Sequence, residues 1–207
     1  MLDRAANATL MPLLKAGARM LVRAGVGADT VTLAGFAIGL AGATAIAMQH
    51  YALGLALLLA SRLADGLDGP VARLTQATDR GAFLDITLDF LFYASIPLAF
   101  AIAEPAANAL PAAVLLAAFI GTGSSFLAFA VLAQKRGIAS SEYPNKGLYY
   151  LGGLTEATET LVCFALMCLW PERFAWWAYG FAALCALTIA TRIVGGARVL
   201  SRPHPPV

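Results

Sequence analysis

Six apolar runs divide this sequence. Several of them exceed the roughly 18–20 residues that a helix needs to cross the hydrocarbon core of a bilayer. The stretch TVTLAGFAIGLAGATAIAM (30–48) carries no charge at all, and PAAVLLAAFIGTGSSFLAFAVLA (111–133) carries none either. Inside lipid every backbone N–H and C=O must find a partner within the protein, which leaves helices or a closed barrel. No ten-residue alternation of apolar and polar positions marks barrel strands, so the spans are read as helices. The chain is 60% hydrophobic and 13% charged, against about a quarter charged in soluble domains. The fold expected is therefore all-α: a polytopic membrane protein of six transmembrane helices forming one domain over 1–207. A net charge of +2 gives no footing for nucleic-acid binding. Cys163, Cys168 and Cys185 stand in apolar stretches without metal-ligand spacing and read as packing residues.

The spans are placed at about 30–49, 52–75, 81–103, 108–134, 147–170 and 174–199, with Gly25, Gly27, Pro105, Gly137, Pro144 and Pro171 in the gaps. Ahead of them, residues 1–25 set Leu2, Leu10, Leu13, Leu14 and Leu21 against Arg4, Lys15, Arg19 and Arg23. That pattern suits an amphipathic helix lying in the interface. The segment lacks the continuous apolar core and cleavage site of a signal peptide. Orientation follows from the basic residues. Arg4, Lys15, Arg19, Arg23, Arg73, Arg80, Lys135, Arg136, Lys146, Arg198 and Arg202 fall on one side, and Arg173 alone on the other. By the positive-inside rule both termini are cytoplasmic. A compact six-span chain of this kind suits a bacterial inner membrane.

Against this background the segment DGLDGPVARLTQATDRGAFLDITLDF (65–90) stands out, with Asp65, Asp68, Asp85 and Asp89 at the cytoplasmic ends of spans two and three. At about 100° per residue, Asp68 lies near −60° from Asp65, Ala72 near −20° and Gly69 near +40°. On the third span Gly81 lies near −40° from Asp85 and Asp89 near +40°. Two helices joined by a short link pack as antiparallel neighbours, so these faces converge. An unpaired carboxylate at membrane depth costs roughly 2.5–3.5 kcal/mol, so four would cost on the order of 10–14 kcal/mol. Arg62, Arg73 and Arg80 do not neutralise the cluster in a fixed geometry. Hard divalent cations do, and Mg²⁺ or Mn²⁺ with oxygen ligands, as two ions about 3.5–4 Å apart, is the expectation.

At these residues the chain resembles the CDP-alcohol phosphatidyltransferase family. The family pattern is Asp-x2-Asp-Gly-x2-Ala-Arg, about eight residues, then Gly-x3-Asp-x3-Asp. Here it is met by Asp65, Asp68, Gly69, Ala72, Arg73, Gly81, Asp85 and Asp89, with seven residues in the gap. Pro70 follows Gly69 and removes a backbone donor from the second span. A Pro-Asn-x-x-Thr feature of the family is present in altered form as Ala28-Asp29-Thr30-Val31-Thr32. The resemblance implies an enzyme of phospholipid biosynthesis. It would transfer a phosphatidyl group from a CDP-linked lipid such as CDP-diacylglycerol to the hydroxyl of a small alcohol and release CMP. It also implies that Asp65, Asp68, Asp85 and Asp89 ligate metal and that Asp89 is the general base. Gly69, Ala72, Arg73 and Gly81 would line the CDP site, and the protein would be a homodimer.

The acceptor is less legible. Lys146, Arg136 and Arg192 suit an anionic alcohol, and glycerol 3-phosphate is the expectation. Glu156 and Glu159 leave open an amino alcohol, and an inositol-type acceptor stays open too. Both glutamates are placed two turns or more into the fifth span, where they either pair with Arg192 or touch the acceptor. GTGSSF (121–126) reads as a helix-packing segment or as part of the acceptor pocket. Arg62, one turn before Asp65, is read as bracing the acidic cluster, and Trp170, Trp176 and Trp177 as an interfacial belt. A cation-coupled transporter is the alternative of a different class, and it predicts inverted repeats and charges at mid-membrane. The sequence shows neither.

Overall fold

The structure, a computed structural model, describes residues 2–137 and 155–201, with side chains from residue 11 onward. Lys146, the start of the expected fifth span at 147–154, and Arg202 lie outside the described residues. Every regular element among the described residues is helical: α1 Leu2–Arg23, α2 Ala28–Ala47, α3 Tyr51–Leu74, α4 Asp79–Ala103, α5 Pro105–Lys135, α6 Ala157–Leu169 and α7 Phe174–Leu200. A short 3₁₀ turn at Pro171–Arg173 leads into α7. α2, α4, α5 and the turn with α7 are each long and apolar enough to cross a membrane. α3 has the length, at 24 residues, but carries Arg62, Asp65, Asp68 and Arg73 within it. α6 has 13 residues.

Local chemistry fixes the helix ends. Gly25, at φ +76°, closes α1 with a left-handed residue that glycine adopts without steric cost. Thr78 caps α4, its Oγ1 accepting from the Gly81 N–H at 3.0 Å. Pro105 occupies the first turn of α5, where its missing N–H has no partner to lose. The α2–α3 link is held by Gln49, at φ +64°, whose Nε2 donates to the Ala103 carbonyl at 2.9 Å and so ties this link to the end of α4. α3 runs unbroken through Pro70.

Two expectations are corrected here. Glu156 and Glu159 stand at the start of a helix rather than two turns into one: Glu156 is the N-cap of α6, and Glu159 accepts from the Glu156 N–H at 3.2 Å in a reciprocal capping box. The spacing of three that placed both on one face is equally the spacing of this cap. Trp170 and Trp176 are exposed, as a belt requires, whereas Trp177 packs against the core.

Close approach of α2 to α3 and α4 sets the geometry of the site-bearing end. Gly35, Gly39 and Gly42 make one stripe on α2. The Ser61 hydroxyl of α3 donates to the Gly35 carbonyl at 2.7 Å, and a Cβ on Gly35 would stand 3.1 Å from Ala64 Cβ. A Cβ on Gly39 would stand 2.6 Å from Phe92 Cδ2 and 2.8 Å from Ser61 Oγ. Small residues at helix contacts are the usual means of packing in lipid, where the hydrophobic effect between helices is weak. Toward the other end the core is aromatic, with Phe100 stacked on Phe174 at 4.6 Å and on Tyr51 at 5.7 Å. Leu63, Phe83, Ile120 and Trp176 are exposed on the outer surface, an apolar exterior that suits acyl chains and would aggregate in water. Gly39→Ala forces Phe92 to shift and is expected to destabilise the bundle by about 1–3 kcal/mol. Gly180→Ala, whose Cβ would meet nothing within 4 Å, is expected to be neutral or to stabilise by up to about 1 kcal/mol. Thermal unfolding of the two purified variants in detergent checks the contrast.

Candidate active site

The acidic segment folds as two helical faces joined by a four-residue link at 75–78. The Thr78 cap starts α4 at Asp79, so Gly81, Asp85 and Asp89 follow at intervals of one turn. Opposite them α3 presents Arg62, Asp65 and Asp68. One carboxylate oxygen from each of Asp65, Asp68 and Asp85 lies within 4.8 Å of the others. That separation suits oxygens sharing one hard divalent cation at 2.0–2.6 Å. Two unit charges 4 Å apart repel by about 4 kcal/mol at an effective dielectric of 20, so three carboxylates in this space call for compensating positive charge.

Asp68 has one neighbour, and Asp65 and Asp89 share another. Asp68 is 8% exposed and accepts from the Thr32 hydroxyl at 2.7 Å on Oδ2. Arg62 spans the other two helical turns: its Nη1 is 2.6 Å from Asp89 Oδ1 and 3.4 Å from Asp65 Oδ2. Its guanidinium sits 3.8 Å from the centroid of the Phe92 ring and 3.3 Å, through Nη2, from Ser61 Oγ. A cation over an aromatic face is stabilised by the ring quadrupole. Arg62 thus braces the acidic rows of α3 and α4, and its closer partner is Asp89 rather than the residue one turn along its own helix.

Two cavities flank the aspartates. The smaller, about 160 Å³, is lined by Asp68 and Asp85 together with Thr32, Gly69, Ala72 and Gly81. Arg73 is exposed beside it, its Nη1 lying 3.3 Å from where a Gly69 Cβ would be. The larger, about 710 Å³, is lined by Asp89 and Arg192, by the hydroxyl residues Thr122 and Thr160, and by Tyr93 and Glu156. Arg192 is 8% exposed, and its Nη1 donates to the Thr122 carbonyl at 3.2 Å. Within GTGSSF the roles divide: a Cβ on Gly121 would press on Ile189, while Thr122, Ser124 and Phe126 face the cavity.

The structure therefore brings Asp65, Asp68 and Asp85 into one cluster, with Gly69, Ala72 and Gly81 at the adjoining cavity. Asp89 stands one turn further along α4, against Arg62 and the larger cavity. Arg192 joins that cavity. Arg136 is placed at the foot of α7, its Nη1 donating to the Leu200 carbonyl at 2.5 Å, and it lines neither cavity. Sequence reasoning passed over the contact of Thr32 with Asp68. Its only signal was the altered Ala28–Thr32 motif.

A family model for CDP-alcohol phosphatidyltransferases matches residues 26–196. The inner membrane protein YnjF of Escherichia coli (strain K12) is 52% identical over 196 residues, 95% of each chain. Among solved structures, Mycobacterium tuberculosis phosphatidylinositol phosphate synthase with CDP-DAG bound superposes with a TM-score of 0.71 at 22% identity, covering 89% of this chain and 94% of that one. The same enzyme in complex with manganese and citrate gives 0.70 at 21% identity, covering 88% of each. At these identities the structural likeness is one of fold. The family model covers most of the chain, including all four aspartates, and on that ground the chain belongs to the CDP-alcohol phosphatidyltransferase family.

Proposed function

We propose that this protein transfers a phosphatidyl group from CDP-diacylglycerol to glycerol 3-phosphate and releases CMP, in the inner membrane, with the site and both termini on the cytoplasmic side. The observation that carries the reading is the cluster of Asp65, Asp68 and Asp85 set between two cavities, one small and one large. The location is supported by the inner-membrane relative, and the orientation by the eleven-to-one distribution of basic residues between the two sides, at the span ends and in the links.

The chain's own residues divide the work. The smaller cavity takes the nucleotide half of the donor, with Gly69, Ala72 and Gly81 small enough for close approach. Asp65, Asp68 and Asp85 hold a divalent ion, Mg²⁺ or Mn²⁺; all their donors are hard carboxylate oxygens, which fits. Such an ion supplies charge neutralisation for the diphosphate and the departing CMP. Thr32 fixes the rotation of Asp68 through Oδ2 and so the position of its carboxylate in the cluster. The expectation of a second ion with Asp89 among its ligands goes beyond this cluster, because Arg62 draws Asp89 toward itself.

The larger cavity takes the acceptor. Its hydroxyl forms a bond to the β-phosphorus while the bond from that phosphorus to the bridging oxygen breaks. CMP leaves with the electron pair, and the acceptor proton passes to Asp89. Arg62 orients Asp89 for this step, and orientation contributes more than basicity. Arg192 meets the acceptor phosphate; a guanidinium matches its oxygens bidentately. Glu156 in the same cavity favours the second reading, an amino alcohol whose ammonium it would meet.

The test is CMP release from CDP-diacylglycerol by purified protein, with glycerol 3-phosphate, serine, choline, inositol and inositol phosphate compared as acceptors. Release is expected with Mg²⁺ or Mn²⁺, fastest with glycerol 3-phosphate, and lost on chelation; no metal-dependent release with any acceptor sinks the reading. Asp68→Asn and Asp85→Asn are each expected to lower turnover on the order of 100-fold or more. Thr32→Val leaves Asp68 without its hydroxyl partner and is expected to cost about 10–100-fold in metal affinity, read as a raised Mg²⁺ requirement. Arg192→Gln is expected to raise KM for the acceptor about tenfold or more while leaving KM for the donor nearly unchanged.

A further inference from the structure

α1 presents three rows of side chains to three surroundings. With Leu14 at zero and about 100° per residue, Gly17, Leu21 and Ala18 fall between about −60° and +40°. Leu13 and Met20 fall near −110°, and Lys15, Arg19 and Arg23 between about +100° and +180°. The first row is packed. Leu14 and Ala18 are buried. Leu14 lies 3.5 Å from where a Gly66 Cβ would be, and a Cβ on Gly17 would stand 3.0 Å from Leu67 Cδ2. Ala18 shares a small core with Val31 and Val71. The second row is apolar and open, with Leu13 69% and Met20 71% exposed. The third row is basic and exposed, and among the described residues none of its three members stands in an ion pair. The place of α1 gives these rows a consequence. Leu67 and Val71 of α3 lie near −160° and −120° from Asp65, so α1 covers the back of the turns whose front carries Asp65 and Asp68. Val31 of α2 immediately precedes Thr32, the hydroxyl partner of Asp68.

We propose that Lys15, Arg19 and Arg23 bind the headgroups of anionic lipid, and that this contact presses α1 onto α3 and α2 and so steadies the acid-bearing faces. The lipid concerned is neither donor nor acceptor, so the proposal goes beyond the transfer reading and rests on it only for the second of the two readouts below. The open apolar row decides the occupant. An acidic protein surface would satisfy the cations and leave Leu13 and Met20 in water, whereas a lipid satisfies both rows at once: acyl chains meet the apolar side chains and headgroup phosphates meet the cations. Lysine and arginine also lay their methylene stems along apolar surface while the charged head reaches the phosphate. The three cations recur at one per turn, about 6 Å apart along the axis. Each basic residue held at an anionic surface strengthens association about fivefold, and salt weakens the effect over a Debye length of about 8–10 Å.

The test places a reporter in the open row with Met20→Trp, in the full-length protein reconstituted into phosphatidylcholine vesicles. The unsubstituted chain, treated alike, supplies the emission of Trp170, Trp176 and Trp177 for subtraction. A minor share of the lipid carries brominated acyl chains, on either phosphatidylglycerol or phosphatidylcholine. Brominated phosphatidylglycerol is expected to quench the reporter about twofold or more strongly than brominated phosphatidylcholine, and the difference is expected to shrink at high salt. Adding Lys15→Gln, Arg19→Gln and Arg23→Gln together is expected to abolish the difference while both lipids still quench, which shows the helix in place. Equal quenching by the two lipids without these three changes overturns the proposal and leaves the basic row to an acidic protein surface. A difference that survives the three changes overturns the role of these residues. The second readout is metal-dependent CMP release in mixed micelles at a fixed share of CDP-diacylglycerol. It is expected to rise with phosphatidylglycerol in the wild-type chain and to stay level in the chain carrying the three glutamines. Release indifferent to phosphatidylglycerol in the wild-type chain overturns the link from α1 to the acidic faces. Absence of CMP release under every condition sinks the transfer reading instead, and the quenching contrast then decides the lipid contact by itself.

Discussion

The arrangement of the cytoplasmic end turns on the mutual repulsion of carboxylates in a place where water screens them poorly. Asp65, Asp68 and Asp85 bring oxygens within 4.8 Å of one another, and neither helix is driven to do so by its own propensities. The approach is enforced by packing further along the same helices. Glycines of α2 let α3 and α4 come close, and Ser61 and Phe92 fill the space that those glycines leave. The local charge is handled by partners of two kinds. Thr32 donates to Asp68, and Arg62, set over Phe92, reaches Asp65 and Asp89. Neither removes the excess negative charge of the three-carboxylate cluster. A fold that spends packing energy to hold charges together is poised for a cation, and its stability is coupled to that cation by mass action.

The fold was largely legible in the sequence because its signals are local and strong. Apolar length marks helices, and glycine and proline mark their ends, so the described boundaries fall within about two to three residues of those expected for most spans. The aspartates were legible for the same reason: rotation of 100° per residue is a property of one helix and needs no partner. What eluded sequence reasoning depends on contacts between distant segments. Thr32 and Asp68 are 36 residues apart, and Arg62 reaches Asp89, 27 residues away, at shorter range than Asp65, three residues away. Glu156 and Glu159 fall elsewhere than expected because a spacing of three serves a helix face and a capping box equally, and the point where α6 begins decides between them. Trp177 was grouped with its neighbour Trp176, yet adjacent residues on a helix point about 100° apart, so one faces lipid and the other the core.

The division of labour between the two cavities follows from a single helix. On α4 Gly81 belongs to the smaller cavity, Asp85 to the smaller cavity and the acidic cluster, and Asp89 to the larger cavity. Each is one turn from the next, about 6 Å, so the run from Gly81 to Asp89 measures about 12 Å. That is the scale of a ribose and a diphosphate laid end to end. In the proposed reading α4 acts as a ruler, with the donor phosphates and the acceptor hydroxyl assigned to successive turns. The register of this ruler is set where α4 begins, by the Thr78 hydroxyl on the Gly81 N–H. It is held further along by Arg62 on Asp89. A slip of one residue would rotate the whole face by about 100° and take both aspartates away from α3. The cap at one end and the guanidinium at the other exclude that slip. The same two contacts that start and brace the helix thus keep Asp85 beside α3 and Asp89 at the larger cavity, as the proposed transfer requires.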